Sequence, residues 1–263
     1  MDIRAINTLL TTRRIGKPVE WQPSLDSTNI VARARAQNGA PEGLVIGADV
    51  QTAGRGRFNR SWESSAGDNL LFSVLLRPPF PIRQYALLNF LASLSVAEAI
   101  EQYPSLHATL HWPNDVYINS KKVCGILSET GVESASIIIG IGLNVNQNEF
   151  SPELAHASSL ARECGHSLDR GRLLHILLKM LDENYDAVIS NGFAGIMEKW
   201  RMRCDMIGRQ LSVQSGDAVI EGEAVSVADN GALCIRQNTG ETVSVYAGEA
   251  TLHGQQLFSE IRA

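Results

Sequence analysis

The chain has 263 residues, with 23 Lys+Arg against 28 Asp+Glu for a formal net charge of −5, and 44% hydrophobic against 19% charged residues. This composition is globular and too apolar for disorder, and its mild acidity argues against a bulk DNA or RNA binder. Cys124, Cys164, Cys204 and Cys234 are scattered without a C-x-x-C pair, no apolar run approaches the ~20 residues of a membrane helix, and Met1–Ala5 carries no secretory signal; the reading is a cytoplasmic protein with no resident metal cluster and no membrane partner.

Taken in chain order, Asp26-Ser27-Thr28-Asn29 is a helix N-cap cluster ahead of Ile30 to Arg35; capping accounts for one hydroxyl and leaves the others for a ligand. Gly43–Val50 and Asn69–Arg77 are short, apolar and bounded by Gly, Pro and Asn, as buried strands are. Between them runs Gln51-Thr52-Ala53-Gly54-Arg55-Gly56-Arg57-Phe58-Asn59-Arg60-Ser61-Trp62, with three arginines in six positions and no acid from Asp49 to Glu63. Gly54 and Gly56 allow close backbone approach, and the guanidinium groups offer planar forks to phosphate or carboxylate. The segment has neither the Gly-Lys-Ser/Thr of a Walker loop nor a G-x-G-x-x-G fingerprint. It reads as an anion-gripping loop, with a solvated turn carrying surface arginines as the plain alternative.

Tyr85–Gln102 places Leu88, Leu91, Ala92, Val96, Ala99 and Ile100 on one stripe and stops before Pro104, which predicts an amphipathic helix. Strands are expected at 108–112, 116–119, 123–130 and 136–142. The turn Pro113-Asn114-Asp115 predicts a hairpin with Asp115 and Lys122 at strand ends. A lysine entering an apolar strand is a candidate for meeting phosphate charge, although two exposed lysines beside a turn explain the same residues. Gly140 and Gly142 in an Ile-rich strand mark close approach of a ligand or of neighbouring backbone, or a bulge. Leu168–Arg203 is helical, broken at Asn191-Gly192. Short strands at 211–213, 219–227, 232–236 and 243–246, separated by Gly-containing turns, describe a small β-barrel or sandwich. The expectation is a mixed-sheet domain with flanking helices over residues 1–208 and a small β-domain over 209–263.

Four of these segments, in this order and spacing, resemble biotin protein ligases: Asp26-Ser27-Thr28-Asn29; Gln51 with Gly54-Arg55-Gly56-Arg57 and Arg60-Ser61-Trp62; Trp112-Pro113-Asn114-Asp115 with Lys122-Val123-Cys124-Gly125-Ile126-Leu127; and Gly140-Ile141-Gly142-Leu143-Asn144-Val145. The resemblance runs from about Ser24 to the C-terminal β-domain. It implies an α+β, class II synthetase-like biotin/lipoate ligase fold with a small SH3-like barrel. With 23 residues ahead of Ser24, it points to the catalytic-only class, without a helix-turn-helix and without DNA as partner. A lipoate- or octanoate-type acyl ligase, or a biotin-binding module without catalysis, are the alternatives.

The implied reaction joins biotin to ATP, with Mg²⁺, as biotinyl-5′-AMP and then moves biotin to a lysine of a carboxyl carrier domain, that of acetyl-CoA carboxylase or a similar carboxylase. A homodimer through a sheet edge is an option the family offers. The resemblance assigns Lys122, Arg57 and Asp115 to catalysis. It assigns Ser27, Thr28, Asn29, Gln51, Arg55, Gly56, Arg57, Lys122, Gly125, Gly140 and Gly142 to biotin. Gly54, Arg55, Arg57, Arg60, Trp62, Asn114, Lys122 and Asn144 fall to the adenylate, and no residue is assigned to holding metal. Two positions depart from the family pattern: Asn59 stands where Gly is usual, a residue tolerant of positive φ, and His111 stands where Lys is usual.

Overall fold

Residues 1–131 and 135–253 are described by a computed structural model. In chain order the elements are α1 (Ile3–Leu9), β1 (Val19–Gln22), α2 (Thr28–Gln37), β2 (Val45–Ala48), β3 (Leu70–Leu76), α3 (Leu88–Ile100), β4 (Thr109–His111), β5 (Asp115–Ile118), β6 (Lys121–Gly131), β7 (Ser136–Leu143), α4 (Leu160–Cys164), α5 (Arg170–Asn191), α6 (Ala194–Arg203), and then β8 (Gln210–Ser215), β9 (Ala218–Val227), β10 (Leu233–Arg236), β11 (Thr242–Val245) and β12 (Glu249–Leu252). The first seven strands form one mixed sheet in the order β1-β2-β3-β7-β6-β5-β4, in which only β1 and β2 run parallel. The last five form an antiparallel sheet, β11-β10-β9-β8-β12.

The period of two in the strands divides the large sheet into an apolar face and a working face. Leu70, Phe72, Val74 and Leu76 of β3 and Ile137, Ile139, Ile141 and Leu143 of β7 enter the main core, which α3 and α5 cover. On the opposite face Leu75 and Ile138 pack with Ala32 and Ala36 of α2 in a smaller cluster. Along the same face, register pairs Ser73 with Gly140, Leu127 with Gly140, and Gly125 with Gly142. Small residues therefore form a floor beside α2, where side chains from elsewhere can descend onto backbone.

Helix α3 differs from its predicted amphipathic form. Eleven of its residues are buried, including Ser93 and Ser95, because the sheet covers one side while α5 and α6 cover the others. Its serines are satisfied within this packing: Trp200 Nε1 donates to Ser93 Oγ at 3.0 Å, and Asn184 Nδ2 donates to Ser95 Oγ at 2.9 Å. Helices α1 and α4 and strand β1 had no predicted counterpart, as elements of seven, five and four residues carry little periodicity.

Two carboxylates of α5 hold the N-terminal segment, Asp186 by pairing with the Arg13 and Arg14 side chains and Asp182 through the segment's backbone. Buried Asp182 accepts the backbone N–H groups of Arg13, Arg14 and Ile15 at 2.6, 2.8 and 2.8 Å. Asp182→Ala would leave three donors unpaired at once. The expected loss is roughly 3 kcal/mol, since hydrogen bonds to a charged acceptor are among the stronger ones. Thermal unfolding would register it as a fall of roughly 5–10 °C in Tm.

The small sheet and the segment leading into it contact the larger domain at defined points. Trp112 Nε1 donates to the Gly231 carbonyl at 2.8 Å, Arg201 Nε donates to the Val227 carbonyl at 2.6 Å, and Leu110 forms a parallel bridge with Cys204. Gly231, at φ 83°, lies against Phe90, where an added Cβ would come within 2.9 Å of the ring. Among the described residues no helix is long and apolar enough to cross a membrane.

Candidate active site

The β4–β5 hairpin forms as the turn chemistry predicts, pairing His111 with Asp115. The next strand brings Lys122 back beside it, so that Lys122 Nζ donates to Asp115 Oδ2 at 2.7 Å in a half-buried pair. Asp115 Oδ1 is buried and has no partner. Backbone bonds fix the lysine on its other side, as Lys122 N donates to the His156 carbonyl and Ser158 N to the Lys122 carbonyl, each at 2.9 Å. His156 lies beside this charge cluster; burial first, then Lys122, holds its imidazole below the usual histidine range and so neutral near pH 7.

Asn114 is buried and anchored by Nδ2, which donates to the Ile126 carbonyl at 2.6 Å. Its Oδ1 accepts from Arg57 Nη1 at 2.8 Å. Arg57 is thereby drawn from the loop into the Asn114–Asp115–Lys122 cluster, and its Nη2 donates to the Gly248 carbonyl at 2.7 Å. Burial works against its charge, while Asp115 and Glu249 support it. Arg60 forms a two-pronged ion pair with Glu249. The Gly-Arg loop thus rests on the start of β12, while Arg55 stays exposed on a short antiparallel bridge to Ser61.

The loop's left-handed residue is Phe58, at φ 53°, one position before the Asn59 expected to carry it. A bulky residue there costs roughly 1–2 kcal/mol of backbone strain, and its ring is exposed with Arg57 at 4.8 Å from the centroid. His111 is buried, stacked on Tyr117 at 3.7 Å between centroids, with Nε2 2.7 Å from Asp205 Oδ1. Its ring is engaged with the segment between α6 and β8. Burial raises the Asp205 carboxyl, but His111, Arg209 and Thr109 outweigh it and hold it below the ordinary range.

The three glycines are explained by side chains of the chain itself. An added Cβ at Gly125 or Gly142 would lie 2.8 or 2.5 Å from the Trp62 indole, and one at Gly140 would lie 2.2 Å from Asn29 Oδ1. The Trp62 ring lies over Gly125 and Gly142, with Lys122 Nζ 5.9 Å from its centroid and its own Nε1 buried without a partner. Asn144, at the end of the same strand, donates Nδ2 to the Ser158 carbonyl at 3.0 Å and leaves Oδ1 buried and unpartnered.

At the other end, Ser27 is the N-cap of α2 without a side-chain cap bond, and Ser27, Thr28 and Asn29 are all buried. Thr28 N donates to Gln51 Oε1 at 2.7 Å, which turns the Gln51 Nε2 towards Gly54. The residues singled out in the four segments thus collect along one working face, from Thr28 and Gln51 across the glycine floor to Lys122, Asp115 and Arg57. Ser73 and Glu129, which bond to this group, stand in strands outside every motif, Ser73 alone among apolar residues and Glu129 between Ser128 and Thr130.

Comparison with known proteins places the same segments in context. Residues 21–146 match the Biotin/lipoate A/B protein ligase family, and residues 206–252 match the Biotin protein ligase C terminal domain. The chain is 36% identical over 237 residues to the bifunctional ligase/repressor BirA of Bacillus subtilis, spanning 88% of this chain and 73% of that protein. It is 34% identical to the biotin–[acetyl-CoA-carboxylase] ligase of Mycobacterium tuberculosis, over 85% of this chain and 84% of that one. Among solved structures, biotin protein ligase from Aquifex aeolicus in complex with biotin and ATP superposes with a TM-score of 0.79 at 32% identity, covering 90% of this chain and 98% of that chain.

Proposed function

The chain belongs to the biotin/lipoate protein ligase family, and from this we propose that it is a biotin protein ligase that activates biotin with ATP as biotinyl-5′-AMP and transfers it to a lysine of a carboxylase carrier domain in the cytoplasm. The observation that carries the reading at the level of chemistry is the convergence of Lys122, Asp115, Asn114 and Arg57 beside a floor of glycines.

In the first step a carboxylate oxygen attacks the α-phosphorus of ATP, and the bond to pyrophosphate breaks. An anion approaching a polyphosphate is repelled, so cations held in a partly desolvated site are the main requirement. Lys122 supplies one at the reacting carboxylate and α-phosphate. Arg57 supplies a second, and Arg55 and Gly56 close over the same oxygens. For Arg57 and Arg60 this means exchanging Gly248 and Glu249 for ligand oxygens, so the loop moves as the substrates bind. Ser27, Thr28 and Gln51 hold the ring of biotin, while Gly140 leaves space for Asn29 behind it and Gly125 and Gly142 leave space for the Trp62 indole beside it. Trp62, Asn114 and Asn144 face the adenylate, where the free Oδ1 of Asn144 accepts a hydroxyl.

Among the described residues no cluster of His, Cys, Asp and Glu forms a metal cage. Mg²⁺ would be held mainly by the nucleotide's own phosphates, where it would offset their charge.

In the second step the acceptor lysine, as amine, attacks the acyl carbon, and the carbon–oxygen bond to AMP breaks. Asp115 Oδ1, a buried acceptor with no partner, is the base that would take the proton from the lysine ammonium to free the attacking amine. The test is to incubate the purified chain with ATP, Mg²⁺, biotin and an isolated carrier domain, and to follow the carrier's mass. Biotin addition at one lysine is expected. Equal addition of lipoate would instead support an acyl ligase of the other branch, and no addition with tight biotin binding would mark a binding module.

A further inference from the structure

Behind Thr28 lies a string of polar groups whose protons can be counted. Asn29 Nδ2 donates to the Leu127 carbonyl at 3.2 Å and to Glu129 Oε2 at 2.7 Å. Both partners only accept, so the amide nitrogen must face them and Asn29 Oδ1 must face Ser73. Arg33 in turn holds the other carboxylate oxygen of Glu129 at 2.5 Å. Ser73 Oγ, fully buried, is 2.6 Å from Asn29 Oδ1 and 2.7 Å from Thr28 Oγ1. Thr28 Oγ1 is 3.1 Å from Gln51 Oε1, an oxygen that already accepts the Thr28 backbone N–H.

The string therefore has an accepting amide oxygen at each end, two hydroxyls between them, and three oxygen–oxygen contacts. Two hydroxyls supply two protons. One contact goes without, and the longest, between Thr28 and Gln51, is the weakest candidate for a bond. The Ser73 proton goes to Asn29, the Thr28 proton goes to Ser73, and the Thr28 lone pairs are left on the outer side.

We propose that Ser73 and Glu129 are positioning residues for the substrate ring, which turn the Thr28 proton inward so that Thr28 Oγ1 accepts an N–H of the bound ring while Gln51 Nε2 donates to the ring carbonyl. This inference rests on the reading above that Thr28 and Gln51 hold the ring end of biotin. It also gives Asn29 a role one layer back: every polar atom of its side chain is committed to Glu129, Leu127 and Ser73. The arrangement suits a cyclic urea, which presents both N–H and C=O, and opposes a ring that offers only oxygen at that position, because two lone pairs would then face each other.

The experiment compares biotin with the two carbamate analogues in which one or the other ring N–H is replaced by oxygen. KM in biotin-dependent pyrophosphate exchange is measured for the wild type, Ser73→Ala and Glu129→Ala, with thermal unfolding as the check that each variant is folded. In the wild type one carbamate is expected to show a KM roughly 10- to 100-fold above that of biotin. In Ser73→Ala the Thr28 proton loses its inward acceptor and is free to turn to the ligand. The gap between biotin and that carbamate should shrink by about tenfold, with KM moving more than kcat, and Glu129→Ala should move it in the same direction. A merely structural role would raise KM for all three ligands alike. A wild-type preference that survives unchanged in both variants overturns the proposal and leaves the ring reading standing. The absence of any wild-type preference removes the ring reading, and the proposal with it.

Discussion

Lys122→Ala is expected to lower kcat for biotin-dependent pyrophosphate exchange by roughly 10²–10³-fold, the usual cost of deleting one preorganised electrostatic group aimed at developing charge. Lys122 is the cation closest to Asp115, and its backbone is clamped by bonds to the segment at 156–158, so its position is fixed before substrate arrives. With it removed, Asp115 is left as a half-buried carboxylate near the reacting oxygens, which adds repulsion to the loss of attraction. Stability should also fall, because the change leaves the partly buried Asp115 carboxylate without its partner. Steady-state kinetics together with thermal unfolding separate the two effects. A variant with near-normal kcat, or one that loses activity only because it has unfolded, would remove Lys122 from its assigned place.

Gly142→Val is expected to raise KM for biotin by roughly 10- to 100-fold while the sheet survives. The strand around it, Ser136–Leu143, is Ile-rich, and valine suits it as a backbone. The obstacle is on the working face: the first added carbon already lies 2.5 Å from the Trp62 ring, and the branched side chain fills the floor opposite Gly125. Overpacking of this kind costs roughly 1–3 kcal/mol, and here the loop bearing Trp62 gives way rather than the strand. Gly195→Ala in α6 is the control, since a Cβ there meets nothing within 4 Å, and it should leave KM for biotin unchanged. KM in biotin-dependent pyrophosphate exchange checks both variants.

How far the molecule was legible in the sequence depended on whether a feature is local. The floor of the site was accessible because Gly125, Gly140 and Gly142 sit in runs whose other residues are aliphatic, so their small size stands out. The turn at Pro113-Asn114-Asp115 put Asp115 and Lys122 at strand ends, but their pairing comes from the following turn at Asn119-Ser120, which returns β6 along β5. What settles the loop is distant: Arg57 and Arg60 rest on Gly248 and Glu249, 191 and 189 positions away, and no spacing rule links them. The same holds for the placing of Trp62 over the glycines, and for Phe58 in the left-handed conformation, both of which depend on that docking. Ser73 and Glu129 were invisible for a different reason. A single serine or glutamate in a strand carries no signal until register puts it opposite Gly140 or beside Asn29. Helix α3 showed a stripe in sequence and none in the fold, since Ser93 and Ser95 are buried with their hydroxyls bonded within the core.

The central claim is that this chain makes an acyl adenylate from biotin. It is tested most directly by exchange of labelled pyrophosphate into ATP with the purified, folded protein and Mg²⁺. Label in ATP that depends on added biotin, and that lipoate does not support, is the predicted result. Exchange no greater with biotin than without it would contradict the account.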